Sequence, residues 1–562
     1  MDAKKNIITY EELRKMLIAC ADRIIRCEAY LTQIDSRIGD GDHGIGMRTG
    51  MTAAKRVLAA DRDDRDIYAM MAEMSGEMER TMGGASGMIF SSLFSGNAKG
   101  HAPASEMTAT EFAAYMESGL HNVISIGHAE LGDKTMVDAF APAVDAMKHH
   151  TGSFGEMILA AEKAAHEGME KTKDQIAKFG RAKSLMERTL GFQDSGATSV
   201  WLIFLQMADE ITGRTTPDPV AEEETFEQKV VSKKIINDPN AVVAEEAEGF
   251  LAAFGKEIEA VPGVNGFVRK NIPEGKTALL IGGGSGHEPM FGFFLGDHLA
   301  DAAANGNVFA SPSPETVYQT AKAAAKGGGM IFLYGNYAGD NLNFDKAAAM
   351  LEEEGIHVRT VRVKDDVASA PRERMDDRRG IAGDVFAIKI AGAACAENDL
   401  EEAYRIACKA RDNLYTIGVG LQGATIPGKT EPIFTLPAEE MEYGLGIHGE
   451  PGVRRTKMDT ADHIVEELLD GILADSGIKE GDVVCTYING LGSTTMMELM
   501  IMNRRLAQLL KEKKIRVHDM DVGSYVTTME MAGASITLMK MDEELIRYYD
   551  MPCRSPYYNK NV

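Results

Sequence analysis

Between residues 11 and 33 the apolar side chains Leu13, Met16, Leu17, Cys20, Ile24, Cys27 and Leu31 recur at spacings of three and four, one stripe along a helix. Similar stretches at 51–60, 66–80, 108–124, 134–149, 154–179 and 197–208 predict further helices, separated by Gly-rich breaks. No convincing period-two alternation intervenes, so residues 1–212 are expected to form an all-α unit. Residues 213–230, polar and acidic with two prolines, read as a linker. After Ile235 short apolar runs alternate with helical stretches. Strands are expected at 278–281, 330–334, 357–363, 483–488 and 515–518, with helices such as 314–325 and 496–512 between them, which predicts α/β layers. This stretch is long for one core, so two lobes are expected, 231–425 and 426–562, with His448 near their junction.

The whole chain of 562 residues is too long for a single core. A formal charge of -25 argues against nucleic acid or an anionic membrane as partner, since both would be repelled. It leaves room for a phosphate ligand, because bound metal ions reverse the local sign. The six cysteines show no metal-ligand spacing, so free thiols in a reducing cytosol are expected. With a polar N-terminus and no long apolar run, a cytoplasmic protein is expected. The 34 methionines read as flexible core filler.

The first chemical signal is the run 35–44, DSRIGDGDHG, where Asp35, Asp40 and Asp42 crowd into a Gly-rich turn. Like charges this close repel, and such a cluster suits a hard cation bound through oxygen; magnesium bridging to nucleotide phosphates fits. A solvated turn capping the next helix is the plainer alternative. Three further small-residue turns, GGASG at 83–87, GHAELGDKTM at 127–136 and RTLGFQDSGA at 188–197, fall at helix boundaries, where backbone N–H groups and the helix dipole favour phosphate. No P-loop is present in the sequence.

The second signal is LIGGGSGHEP at 280–289, an apolar strand running into a Gly-rich turn. His287 stands where a dinucleotide fingerprint needs its last glycine, and no acidic residue ends a following strand. Two more pieces lie far along the chain, NYAGD at 336–340 and GIHGEPG at 446–452. A histidine flanked by glycines is poorly packed by its neighbours, although a capping or surface role is the default for any single one.

In their order and spacing these segments resemble the nucleotide-binding and substrate-binding subunits of the dihydroxyacetone kinase family, as do FASPSPETV, RRGIAGDVFAIKIAGA and NGLGST. The resemblance covers residues 10–210 and 235–550. It implies an N-terminal closed barrel of antiparallel helices holding ATP or ADP and two Mg2+ ions, ahead of a two-lobed α/β domain. Asp35, Asp40 and Asp42 would hold the metals. His43, Gly44, Ile45, Gly46, Ala85, Ser86, Gly127, Met136, Arg188, Asp194, Ser195 and Gly196 would line the nucleotide. His448 would add to the ketose carbonyl as a hemiaminal, Asp340 would act as general base, and His287 would hydrogen-bond the former carbonyl oxygen. Gly283, Gly284 and Ser285 would complete the substrate site. A neutral imidazole is a nucleophile near neutrality, and only a carbonyl compound accepts it, so glycerol would be rejected.

Three positions depart from the family. Gly46 and Ser195 replace a polar residue and a proline, and Gly335 stands where dihydroxyacetone kinases carry a substrate-contacting lysine. The last change suggests a four-carbon ketose, erythrulose, as an alternative substrate. A homodimer is expected. Rival readings are a fatty-acid kinase, a lyase releasing a cyclic flavin phosphate, and a non-catalytic ketose sensor or coregulator.

Overall fold

The computed structural model describes residues 5–39, 41, 43–60, 64–97, 101–221, 234–429 and 431–561. It falls into two compact units, residues 1–225 and 226–562.

Helices dominate the first unit: α1 (Tyr10–Arg26), α2 (Glu28–Ile38), α3 (His43–Ala59), α4 (Ile67–Thr81), α5 (Gly84–Ser95), α6 (Ala109–Gly127), α7 (Val137–Lys148), α8 (Phe154–Lys171) and α9 (Ser195–Thr212). From α3 to α9 each packs on the next in chain order, α1 packs on α3, and α9 packs on α1 as well as on α8. Three of these helices begin with capping boxes, Thr9 with Glu12, Thr108 with Glu111, and Ser153 with Glu156, so the sequence fixes where they start.

The expected single helix over 11–33 is two. Cys27 closes α1 with φ −84° and ψ 6°, yet Cys27 and Leu31 are both buried, so the apolar stripe runs through the break unmarked. The expectation of an all-α unit also needs correction. β1 (Ile7–Thr9) pairs antiparallel with β2 (Glu106–Thr108). Three residues per strand are too few to show an alternating pattern. The helix expected over 154–179 stops at Lys171, where the Thr172 hydroxyl donates to Met169 O and the chain tightens into 3₁₀ turns. The first part of the expected linker lies along the helical unit: Arg23 donates to Asp209 and to Thr216 O, and Arg26 pairs with Asp218.

In the second unit α10 (Val242–Phe254) precedes a six-stranded sheet made of β3 (Ile258–Ala260), β4 (Gly266–Arg269), β5 (Ala278–Ser285), β6 (Ala302–Val308), β7 (Met330–Gly335) and β8 (Val358–Val363). Their order is β3-β4-β6-β5-β7-β8, and the β6-β5-β7-β8 part is parallel. Leu280 and Phe332 pack on α11 (Pro314–Ala324) and α12 (Ala338–Glu353) on one face. The other face carries α13 (Asp384–Glu397) and α14 (Leu400–Arg411).

A second sheet follows, built from β9 (Leu414–Gln422), β10 (Glu440–Tyr443), β11 (Arg454–Lys457), β12 (Val483–Gly490), β13 (Arg516–Gly523) and β14 (Ala532–Met541) in the order β11-β10-β9-β14-β12-β13. Only the β12–β13 pair in it is parallel. β9 thus belongs to this sheet although it precedes the boundary expected at 425. The outer face packs on α15 (Ala461–Ser476) and α16 (Met496–Glu512). The inner face shares one core with the first sheet, in which Tyr487 and Met539 join Leu279, Ile331 and most of the apolar residues of α13, together with α17 (Glu543–Asp550). Helix α13 reads as buried all round because it lies between two sheets. A ribbon of β15 (Cys553–Arg554) and β16 (Asn559–Lys560) ends the chain. All six cysteines are free thiols. No helix among the described residues is long and apolar enough to cross a membrane.

Candidate functional site

Strands β5, β7 and β8 run parallel, so their C-terminal ends open on one edge of the first sheet, the usual ligand edge of such sheets. At that edge the glycines of β5 are there for close approach. A Cβ on Gly283 would lie 2.6 Å from the Phe291 ring, and one on Gly284 would lie 2.7 Å from the Phe309 and Ala310 backbone. The Ser285 hydroxyl donates to Gly306 O at 2.8 Å, tying the end of β5 to the loop beside it. Gly286 turns the chain with φ +96°, open to glycine without strain. Its N–H donates to the Glu288 carboxylate at 2.8 Å.

This turn delivers His287, and the loop after β10 in the second sheet delivers His448. Their Nε2 atoms face each other at 3.0 Å. His287 Nδ1 lies 2.6 Å from Thr527 O, a carbonyl that only accepts, so this nitrogen carries the hydrogen. His448 Nδ1 lies 3.2 Å from Glu450 Oε1, while the His448 backbone N–H donates to Glu450 Oε2 at 3.0 Å. Burial alone would raise the Glu450 carboxyl, but the His448 charge and hydrogen bond and the Arg379 guanidinium hold it well below the usual carboxylate range. It is therefore an anion that accepts from Nδ1. With both Nδ1 atoms donating, the two facing Nε2 atoms have lone pairs, and one proton between them turns repulsion into a hydrogen bond. Aromatic rings wall the pair: Phe309 lies 5.0 Å from His287 and 5.7 Å from His448, and Tyr337 4.9 Å from His448.

Asp340 stands one turn into α12, three residues after Tyr337, the residue that caps the helix. A Cβ on Gly335 would sit 3.3 Å from the Tyr337 ring, so the bare position lets that ring lie against the strand end. Arg379 donates to Asp366 at 3.0 Å and approaches Glu450 at 3.7 Å, linking the end of β8 to the His448 loop. Glu450, Arg379, Thr527 and Tyr337 went unseen in the sequence reading. Glu450 lay within the GIHGEPG motif, Tyr337 within NYAGD and Arg379 within RRGIAGDVFAIKIAGA, which leaves Thr527 as the one without a local signal.

In the helical unit the residues around Asp35 gather at the starts of α3, α7 and α9. Asp35 is buried; Oδ2 accepts from Gly41 N–H at 2.7 Å and Oδ1 from the Ser195 hydroxyl at 2.8 Å. Asp194 caps α9 by accepting from Ala197 N–H at 2.7 Å. Burial first, then the charges of Asp35 and Asp138, push its carboxyl up to about 7. A Cβ on Gly196 would touch Met136 Cβ at 3.2 Å, so bare Gly196 lets α9 approach the start of α7. His43 Nε2 bonds the Ser199 hydroxyl at 2.8 Å, and Gly44 has no room for a side chain against Thr32 and Glu28. Ile45 is half-buried, and Gly46 faces open space.

Gly127 ends α6 beside Ile89 of α5. Ala85 and Ser86 lie in the first turn of α5, whose cap is Gly83. Arg188 is exposed in the 3₁₀ stretch Arg181–Thr189. Asp40 and Asp42 lie outside the described residues. Lys134, absent from the sequence reading, is buried with its ammonium donating to Thr172 O at 2.6 Å, Phe192 O at 2.7 Å and Thr189 O at 2.8 Å. It pins the loop that precedes Asp194. Buried Asp35 and half-buried Asp194 bring carboxylate oxygens close to one another, donors of the kind a hard divalent cation takes.

Residues 248–557 match the Dak1 domain, more than half of the chain, and residues 37–209 match the DAK2 domain. The chain belongs to the Dak1 domain family. It is 41% identical over 329 residues to the PTS-dependent dihydroxyacetone kinase 2, dihydroxyacetone-binding subunit DhaK, of Listeria innocua, a match covering 58% of this chain and 99% of that protein. It is also 41% identical over 332 residues to the L-erythrulose kinase of Pectobacterium atrosepticum, covering 58% of this chain and 56% of the kinase, so the match spans about half of that relative. Among solved structures it resembles the dihydroxyacetone kinase from C. freundii in complex with AMP-PNP and Mg2+, with a TM-score of 0.53 and 28% identity, covering 58% of this chain and 61% of that one.

Proposed function

We propose that this Dak1-family chain is an ATP-dependent kinase of short-chain ketoses, dihydroxyacetone or erythrulose, that tethers its substrate on His448. The observation that carries the reading is the pair of imidazoles facing at 3.0 Å, each anchored through Nδ1 to an acceptor. That arrangement leaves His448 Nε2 as the nucleophile and puts an acidic N–H of His287 beside it. As Nε2 adds to the carbonyl carbon, the C=O π pair becomes an alkoxide, which takes the proton from His287. His448 keeps its Nδ1 hydrogen on Glu450, whose negative charge offsets the imidazole's positive character. Asp340 accepts the proton of the terminal hydroxyl as that oxygen takes the phosphoryl group.

In the helical unit, the succession of neighbours from α1 through α3 to α9 and back supports a closed barrel. Asp35, with Asp40 and Asp42, would hold two Mg2+ ions. These ions neutralise phosphate charge when bound. Ser195 and Gly41 hold the Asp35 carboxylate in place, and Asp194, Gly196 and Met136 shape the wall beside it. We further propose a cytoplasmic homodimer.

A coupled ADP-release screen over three- to five-carbon ketoses, the matching aldoses and glycerol tests the proposal. Ketose-dependent ADP release with none for glycerol is expected. Equal release with glycerol, or release independent of sugar, overturns it.

A further inference from the structure

We propose that Thr527 and Thr528 are positioning residues of the ketose site, a clasp that holds the His287 turn to the His448 loop and sets the 3.0 Å spacing at which the two imidazoles share a proton. The proposal rests on the ketose-kinase reading and deepens it.

Residues 524–529 connect β13 to β14 in the second sheet, and both threonines there are buried. On one side they grip the His287 turn. Thr527 O accepts from His287 Nδ1 at 2.6 Å, the Thr527 hydroxyl donates to Glu288 O at 2.8 Å, and Met529 N–H donates to Gly286 O at 2.9 Å. On the other side the Thr528 hydroxyl donates to Ile447 O, the carbonyl of the peptide that leads into His448. The clasp is itself anchored on β12. Asn489, fully buried there, donates to Val526 O at 2.7 Å and accepts from Val526 N–H at 3.1 Å, while Thr528 N–H donates to Leu491 O at 2.8 Å. Two loops 161 residues apart are therefore referred to one strand of the core.

The spacing matters because the tether uses the singly protonated pair, with a lone pair on His448 Nε2 and the proton on His287. A short charge-assisted bond between the two nitrogens stabilises that state against loss of its proton, and it weakens quickly as the rings part. Loosening the clasp therefore lets the pair deprotonate at lower pH, and the alkaline limb of the ketose reaction moves down with it. A tenfold weaker hold on the proton is a shift of about one pH unit. The titratable and charged groups around the pair are Glu450, 3.2 Å from His448 Nδ1, Arg379, 3.7 Å from Glu450, and Tyr337, whose ring lies 4.9 Å from that of His448. Asp340 stands one turn further on α12, and Glu288, with Glu246 beside it, belongs to the His287 turn. Thr528→Val keeps every one of these groups and the shape of its own side chain, and removes only the hydroxyl.

The test compares the full-length protein with Thr528→Val, Thr528→Ser and Thr527→Val, reading the pH profile of kcat/KM for the ketose and the KM for ATP. Thr528→Val should lower kcat/KM at least about tenfold, the size of one lost buried hydrogen bond, and move the alkaline limb down by about one pH unit, with the KM for ATP unmoved. Thr528→Ser, which keeps the hydroxyl, should restore both rate and limb. Thr527→Val, which releases Glu288 O at the other end of the clasp, should move the limb the same way and carries the comparison if the buried valine at 528 prevents folding. A rate that falls in the valine variants while the limb stays in place overturns the proposal, since a merely structural loss does that. An unchanged rate, or a limb displaced equally in Thr528→Ser, overturns it as well. Ketose turnover absent from the unaltered protein overturns the kinase reading, and nitrogen NMR of the two imidazoles without substrate then tests the clasp alone. There the Nε2 signals should move toward the free lone-pair position in Thr528→Val, and signals that stay in place overturn the clasp.

Discussion

Replacing Glu450 with glutamine is the sharpest perturbation of the proposed tether, because it preserves shape and removes charge. Glu450 accepts two hydrogen bonds from His448, one from the ring at 3.2 Å and one from the backbone at 3.0 Å. A hydrogen bond to a charged partner contributes about 1.5–3 kcal/mol, and a neutral amide oxygen recovers only one of the two. A loss of that size is about 10- to 150-fold in kcat/KM, at 1.4 kcal/mol per factor of ten. A second effect adds to it. If the glutamine NH2 turns toward Nδ1 it donates, and the ring hydrogen moves to Nε2, which blanks the lone pair that attacks the carbonyl. Ketose-dependent ADP release should therefore fall at least about tenfold, with the KM for ATP unmoved, since Glu450 lies in the ketose unit. A variant within twofold of the unaltered protein would refute the tautomer argument.

Three further outcomes follow from particular contacts. Gly284→Ala should lower stability by about 1–3 kcal/mol in urea titrations, because its Cβ would meet backbone atoms at 2.7 Å that cannot swing away. Lys134→Met should destabilise the helical unit by at least about 2 kcal/mol and raise the KM for ATP, since the Thr172, Thr189 and Phe192 carbonyls lose their common donor. Burial first, then the charge and hydrogen bond of Glu288, push half-buried Glu246 up to about 8, and burial also raises Glu288. A carboxyl kept protonated by the fold contributes fully below its ordinary value of 4.5 and loses that contribution as the pH rises through about 8. The urea midpoint should therefore fall as the pH rises from 4.5 to about 8 and level off above that, and the fall should be less steep in Glu246→Gln.

Those contacts also mark how far the sequence could be read. Strands β5, β7 and β12 announce themselves because central, doubly covered strands are nearly continuous apolar runs, while β8, the edge strand VRTVRV, shows through its valines. β6, with the sequence AAANGNV, does not, since alanine and glycine carry no strand signal. The α1–α2 break is silent because Cys27 packs as well at a helix end as inside one. His287, His448 and Asp340 stood out through the glycines around them; beside His287 the close approach of Phe291 and Phe309 explains those glycines, and beside His448 the Glu450 and Arg379 side chains crowd Gly446 and Ile433 and Phe434 crowd Gly449. Thr527 did not, since it sits in an ordinary local setting and meets His287 only through the packing of the two sheets on α13. Arg379 lay within the RRGIAGDVFAIKIAGA segment, but nothing local marks its pairing with Asp366 and its approach to Glu450. Lys134 escaped notice for a similar reason, since its partners are backbone carbonyls that no side-chain pattern records.

The central claim is a covalent bond between His448 and a ketose carbonyl, and carbon NMR of dihydroxyacetone labelled at its carbonyl reads that bond directly. With the unaltered protein the labelled carbon should leave the ketone region and appear as a tetrahedral carbon bonded to nitrogen. His448→Ala should leave the ketone signal in place. A ketone resonance that persists on the unaltered protein at saturating occupancy, or a tetrahedral signal that survives the loss of His448, would contradict the account.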